Sequence, residues 1–140
     1  MEHVVTVLFV IQALAGLVLM VAWWRHGRRG AGTLVAHVVP NTTALALWVL
    51  FTVFGNVWWA WGSYFALNIG TAFGDKMLVG RFRRARSTEG AAVADYGGAL
   101  KAVFTRRMPP LVTFHAVFSA AVYFSCLAVC IGATVSALNA

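Results

Sequence analysis

The run GTLVAHVVPNTTALALWVLFTVFGNVWWAWGSYFALNIGTAFG, residues 32–74, contains no Lys, Arg, Asp or Glu. A helix rises about 1.5 Å per residue, so about 20 residues span the hydrocarbon core of a bilayer. The run is roughly twice that length. It is either one over-long crossing or two crossings joined by a tight hairpin, and that choice decides the fold. Gly55-Asn56, the common Asn-Gly turn pair in reverse order, is the natural break. It predicts a second helix ending near Phe54 and a third starting near Val57. Trp58, Trp59 and Trp61 then mark the membrane interface beside an uncharged turn.

The flanks support two crossings. Before the run, Val4 to Trp24 is apolar and long enough to span. Trp23 and Trp24 close it, and Arg25, Arg28 and Arg29 follow. After the run, a last apolar segment starts at Pro109-Pro110 and ends near Ser136. Proline suits a first helical turn, where its missing N–H is not needed. All eleven Lys and Arg lie within residues 25–29 and 76–107. If residues 32–74 cross twice, both basic segments fall on one side, and the positive-inside bias makes that side cytoplasmic. The expected fold is all-α: an integral membrane, up-and-down four-helix bundle. Its spans are about 4–24, 32–54, 57–77 and 110–136, with cytoplasmic loops at about 25–31 and 78–109. Both termini then lie outside, in a bacterial-type inner (plasma) membrane.

Composition agrees. The chain of 140 residues is 61% hydrophobic and 11% charged, against about 25% charged in soluble domains. Lipid is therefore the expected solvent and one domain the expected organisation. The net charge of +7 is explained by topology, which removes the argument for nucleic acid as a partner. No cleavable signal peptide is expected, because Met-Glu-His precedes an apolar run too long for one. Cys126 and Cys130, four apart on one helix face, are poorly placed for a mutual disulfide. In the 78–109 loop, Val93, Tyr96, Leu100, Val103 and Phe104 recur at helical spacing, with Glu89, Asp95 and Lys101 elsewhere on the wheel. They suggest a short amphipathic helix on the inner membrane surface, although Gly97-Gly98 weakens it.

Polar residues inside the spans repeat at 4, 7 and 11, which places them on one helix face. The second span carries His37, Asn41, Ala44 and Trp48. The third carries Tyr64, Asn68, Thr71 and Asp75. The last carries His115, Ser119, Val122 and Cys126, continued by Cys130. Gln12 and Gly16 begin a weaker stripe in the first. Such faces avoid lipid and point inward. Interhelical hydrogen bonding alone accounts for many such residues, and Gly70 with Gly74 forms a GxxxG close-packing pair.

The histidines need a further argument. His37 is about five residues past Gly32 and His115 about five past Pro110, so both sit roughly 8 Å in from the cytoplasmic side. Two parallel helices with matched imidazoles could clamp haem b, with His37 and His115 as axial ligands and Asn41, Ser119 and Asn68 around them. A haem near one face cannot carry electrons across alone, so this reading implies a quinone or a partner subunit. His37, His115 and Asp75 together would instead suit a divalent transition metal or a proton path; Asp75 is otherwise a border ion-pair partner of Lys76, Arg81 or an arginine of the first loop. A third reading has no cofactor: an accessory or assembly subunit whose stripes hold helices together beside a membrane-protein partner or a second copy. Pro40 leaves the Ala36 carbonyl free as an acceptor for His37. His26, among arginines, is expected to be solvated. Soluble-enzyme signatures (GxGxxG, P-loop, HExxH, CxxC, GxSxG) are absent.

AHVVPNTTALALWVLFTVFGNVWWAWGSYFALNIGTAFGD (36–75) followed by RMPPLVTFHAVFSAAVYF (107–124) resembles small bacterial four-helix membrane proteins with a histidine early in two helices. The resemblance implies the fold and brings no activity. The haem-bearing anchors of succinate dehydrogenase are also small histidine-containing bundles, but with three spans per chain and motifs not present here.

Overall fold

The computed structural model describes residues 1–25, 30–86 and 92–139. His26, Arg28, Arg29, Glu89 and the side chain of Val93 lie outside the described residues. The described chain is all-helical: α1 (Glu2–Arg25), α2 (Ala31–Phe54), α3 (Val57–Arg86), α4 (Ala92–Phe104) and α5 (Pro110–Leu138). By length and composition α1, α2 and α5 can each cross a membrane, with mean hydropathies of 2.7, 1.6 and 2.1. α3 is as long but does not join them. Its tryptophans and glycines, together with Ser63, Asn68 and Asp75, dilute its hydropathy.

The break at Gly55-Asn56 is where the sequence places it. Gly55 ends α2 at φ 68° and ψ 3°, in the left-handed region that glycine enters without penalty. Its N–H closes on the Phe51 carbonyl at 2.8 Å. Asn56 then starts α3 by accepting the Trp58 N–H on its side-chain oxygen at 3.0 Å. α2 and α3 are thereby antiparallel neighbours along their lengths.

α1 packs on α2 and α5, and α3 packs on α2 and α5. Among the described residues α2 and α5 share no close backbone approach, so they face one another diagonally. The core toward the Gly55 end is Val5, Phe9, Trp48, Phe51, Leu67, Val122, Cys126 and Cys130. Trp48 is fully buried and donates its indole N–H to the Glu2 carbonyl at 3.2 Å. Cys126 and Cys130 are free thiols in this core.

The other end differs from expectation in two ways. α3 does not stop near 77 but continues to Arg86. Hydropathy falls at Asp75-Lys76, but a fall in hydropathy does not end a helix. The tail persists because it has a partner. Phe82 packs against Ala99, Ala102, Val103 and Met108, burial worth about 1.5–3 kcal/mol. Arg83 Nε pairs with Asp95 at 2.6 Å. Gly98 permits this approach, since a Cβ there would stand 2.7 Å from the Phe82 ring. Second, α4 exists, but its packed face is Ala99, Ala102 and Val103. Tyr96 and Phe104, expected on the same apolar face as Val103, are exposed.

Candidate cofactor site

His37 stands six residues past the start of α2 and His115 five past the start of α5. Both helices start at the end away from Gly55, so the imidazoles meet at one depth, reaching in from diagonally opposed helices. Their ring centroids are 6.2 Å apart with the planes at 73°.

Each ring lies against a glycine of the next helix. A Cβ at Gly74 of α3 would stand 2.8 Å from His37 Cε1, and one at Gly16 of α1 would stand 3.2 Å from His115 Cε1. Gly70 gives the same clearance to the Asn41 amide. The GxxxG pair of α3 is thus a seat for two side chains of α2, and it also brings the two backbones together.

His37 Nδ1 lies 2.7 Å from the Gly70 carbonyl oxygen. A carbonyl only accepts, so in the neutral ring Nδ1 carries the proton and Nε2 keeps its lone pair. A donation from His37 to the Ala36 carbonyl is therefore replaced by one across the helix interface. The Asn41 amide donates to the His37 carbonyl at 2.6 Å.

His115 is approached from α1. The Gln12 amide donates to the His115 carbonyl at 3.0 Å and stands 3.5 Å from His115 Nε2, a distance at the limit of a hydrogen bond. Two polar atoms here are buried without a hydrogen-bond partner among the described residues, Gln12 Oε1 and His115 Nδ1; Thr113 Oγ1, two residues from His115 and so turned about 200° around α5, is a third. Buried polar atoms are nearly always paired, so the Gln12 and His115 orphans leave this place with unspent bonding capacity.

The remaining expected residues go elsewhere. Asn68 shares a face with Asp75 but sits higher. Its oxygen accepts from the Tyr123 hydroxyl at 2.8 Å, and its amide donates to the Tyr64 carbonyl at 2.8 Å. Ser119 turns its hydroxyl back to the Ala116 carbonyl at 2.7 Å. Asp75 accepts from the Tyr96 hydroxyl of α4 at 3.2 Å. Burial, with the Asp75 carboxylate beside it, pushes the Tyr96 phenol up from its usual value, so it remains a donor. Among the described residues no three of His, Cys, Asp and Glu gather closely enough to hold a metal ion. Gln12, Gly16 and Gly74 belong to the site although no reading of ligand chemistry selects them.

Comparison with known protein families, curated proteins and solved structures returns no match.

Proposed function

We propose that this chain is a four-span membrane bundle that binds haem b between His37 and His115 and passes electrons to or from a quinone or a partner subunit. In this reading α1, α2, α3 and α5 cross a bacterial-type inner membrane with both termini outside. The described basic residues at the His-pair end, Arg25 of α1 and Lys76, Arg81 and Arg84 of α3, favour the cytoplasm for that end.

The observation that carries the reading is the facing pair of imidazoles. His37 and His115 would hold the group, since their ring centroids are 6.2 Å apart, near enough for both imidazoles to reach one metal atom at bonds of about 2 Å. The Gly70 carbonyl leaves His37 Nε2 as the free nitrogen, and a hydrogen bond at the other nitrogen is the usual way a ligating histidine is oriented.

Ligand number favours haem over a bare ion. A divalent transition metal takes about three or four protein ligands, whereas haem brings four nitrogens and asks the protein for two. When bound, haem supplies reversible one-electron chemistry. The chain would hold it, keep water away and set its environment through Asn41 and Gln12. A metal or proton site that adds Asp75 is the weaker alternative, since Tyr96 already engages that carboxylate.

A specific observation also favours an accessory-subunit reading. The Tyr64, Tyr123 and Asn68 hydrogen bonds close on themselves and need no ligand. Absorbance separates the two. Purified from haem-sufficient cells, the protein should show sharp reduced α and Soret bands. His37→Ala and His115→Ala should each abolish them or turn the iron high-spin. Colourless wild-type protein would remove the haem reading and leave the accessory subunit.

A further inference from the structure

The turn between α4 and α5 is built in an unusual way. Arg107 N–H bonds to the Ala102 carbonyl at 2.9 Å and Arg106 N–H to the Val103 carbonyl at 3.2 Å. These two bonds are the Schellman closure of a helix C-terminus, in which the residue after the cap is left-handed and is usually glycine. Here that residue is Arg106, at φ 55°, the one non-glycine with positive φ among the described residues. A guanidinium thus occupies a position where the backbone favours having no side chain.

The residues on either side share a pattern. Val103 and Met108 are buried beneath the turn, against Phe82. Lys101, Phe104, Arg106 and Arg107 are exposed, with Phe104 74% exposed. Lys101 and Phe104 are three apart on α4 and therefore lie on adjacent parts of one face. α5 begins at Pro110, which puts this turn at the mouth of a membrane-crossing helix. Asp95, the nearby acid of α4, is engaged by Arg83.

The geometry points to a headgroup site: Lys101, Arg106 and Arg107 bind the phosphate of an anionic phospholipid in the cytoplasmic leaflet, and Phe104 inserts among its acyl chains. The proposal rests on the four-span reading but is independent of haem. Three cations beside one large apolar ring match the two chemistries of an anionic lipid at the interface. Pinning by Val103 and Met108 holds the cations on a fixed surface.

The test uses the full chain in mixed phosphatidylcholine and phosphatidylglycerol, with retained lipids read by native mass spectrometry. Wild type should retain phosphatidylglycerol over phosphatidylcholine. Arg106→Gln and Arg107→Gln should each lower that ratio about fivefold, and high salt should lower it too. Arg106→Gly should lower the ratio equally while raising the melting temperature by a few degrees, because it relieves the left-handed position. Phe104→Ala should reduce retention of both lipids and leave the ratio unchanged. A ratio near one in wild type, or one that ignores both glutamine variants, overturns the proposal. Flotation with purely neutral vesicles tests membrane insertion, on which the four-span reading and the headgroup site both rest; a chain that does not float loses both.

Discussion

In the half of the bundle nearer Gly55, Tyr64, Tyr123, Asn68, Trp61 and Ser63 hand their donors to one another, to the Thr134 hydroxyl or to nearby carbonyls. The Tyr64 hydroxyl donates to Tyr123 at 2.6 Å and Trp61 Nε1–H to Thr134 at 2.9 Å. Ser63, fully buried, donates to the Ala44 carbonyl at 2.7 Å. In the other half, Gln12 Oε1, Thr113 Oγ1 and His115 Nδ1 are buried with no hydrogen-bond partner among the described residues. The two halves share helices, solvent and residue types, so propensity does not separate them. On the proposed reading the difference is one of purpose: one half is complete as a helix–helix interface, and the other would be completed by a bound group.

The largest expected effect tests that contrast through glycine. In Gly74→Val the new side chain would overlap the His37 ring, since even a Cβ would stand 2.8 Å from Cε1. The ring must leave its seat, and all low-spin haem absorbance should go with it, at a stability cost of about 1–3 kcal/mol. Gly62→Ala is the control in the complete half. Its Cβ would meet Leu47 Cδ1 at 3.4 Å, an ordinary contact, so stability should hold within about 0.5 kcal/mol. Equal losses in both variants, read by thermal melts and spectra, would erase the distinction.

Next in size is Tyr123→Phe. It leaves the Tyr64 hydroxyl without its acceptor and Asn68 Oδ1 without its donor. Stranding buried groups costs about 1–3 kcal/mol, so the melting temperature should fall. The spectrum should not change, because these residues lie outside the histidine site. A changed spectrum would join the two halves into one functional unit.

That separation was only partly legible in the sequence. Charge placement and hydropathy located the starts of α2 and α5, hence the matched depth of His37 and His115. Gly55-Asn56 located the hairpin. Helical spacing, however, reports direction around a helix and not height along it. Asn68 and Gly74 are six residues apart on α3, roughly 9 Å, so Asn68 shares the inward face yet belongs with Tyr123. Ser119 is one turn beyond His115 and returns its hydroxyl to its own helix. The tail of α3 was hidden for another reason: its partner face on α4 is mostly alanine, which carries little amphipathic signal. The Gly16 and Gly74 seats depend on which way each histidine rotamer swings, and spacing does not encode that.

Asn41→Ala should act more gently than Tyr123→Phe. The Asn41 amide donates to the His37 carbonyl at 2.6 Å and stands 3.3 Å from His37 Nδ1, whose own proton goes to the Gly70 carbonyl. With haem bound, its loss should shift the reduction potential modestly while both bands persist. Loss of the cofactor instead would promote Asn41 from tuning the site to holding it.

The smallest expected effect is the most informative about the orphans. Thr113 Oγ1 is buried with no hydrogen-bond partner among the described residues, so Thr113→Val replaces a hydroxyl with a methyl of nearly the same shape. Removing a paired hydroxyl costs stability, but removing an unpaired buried one relieves a desolvation penalty and is neutral or stabilising. In the cofactor-free protein the melting temperature should therefore hold or rise, opposite in sign to Tyr123→Phe. Thr113 is two residues from His115 and turned about 200° around α5, so the same substitution should leave cofactor affinity unchanged. The diagnostic is a variant that is at least as stable as wild type and has an unchanged spectrum. A fall in the stability of the empty form would show that Thr113 has a structural partner, and the contrast between the two halves would then rest on Gln12 and His115 alone.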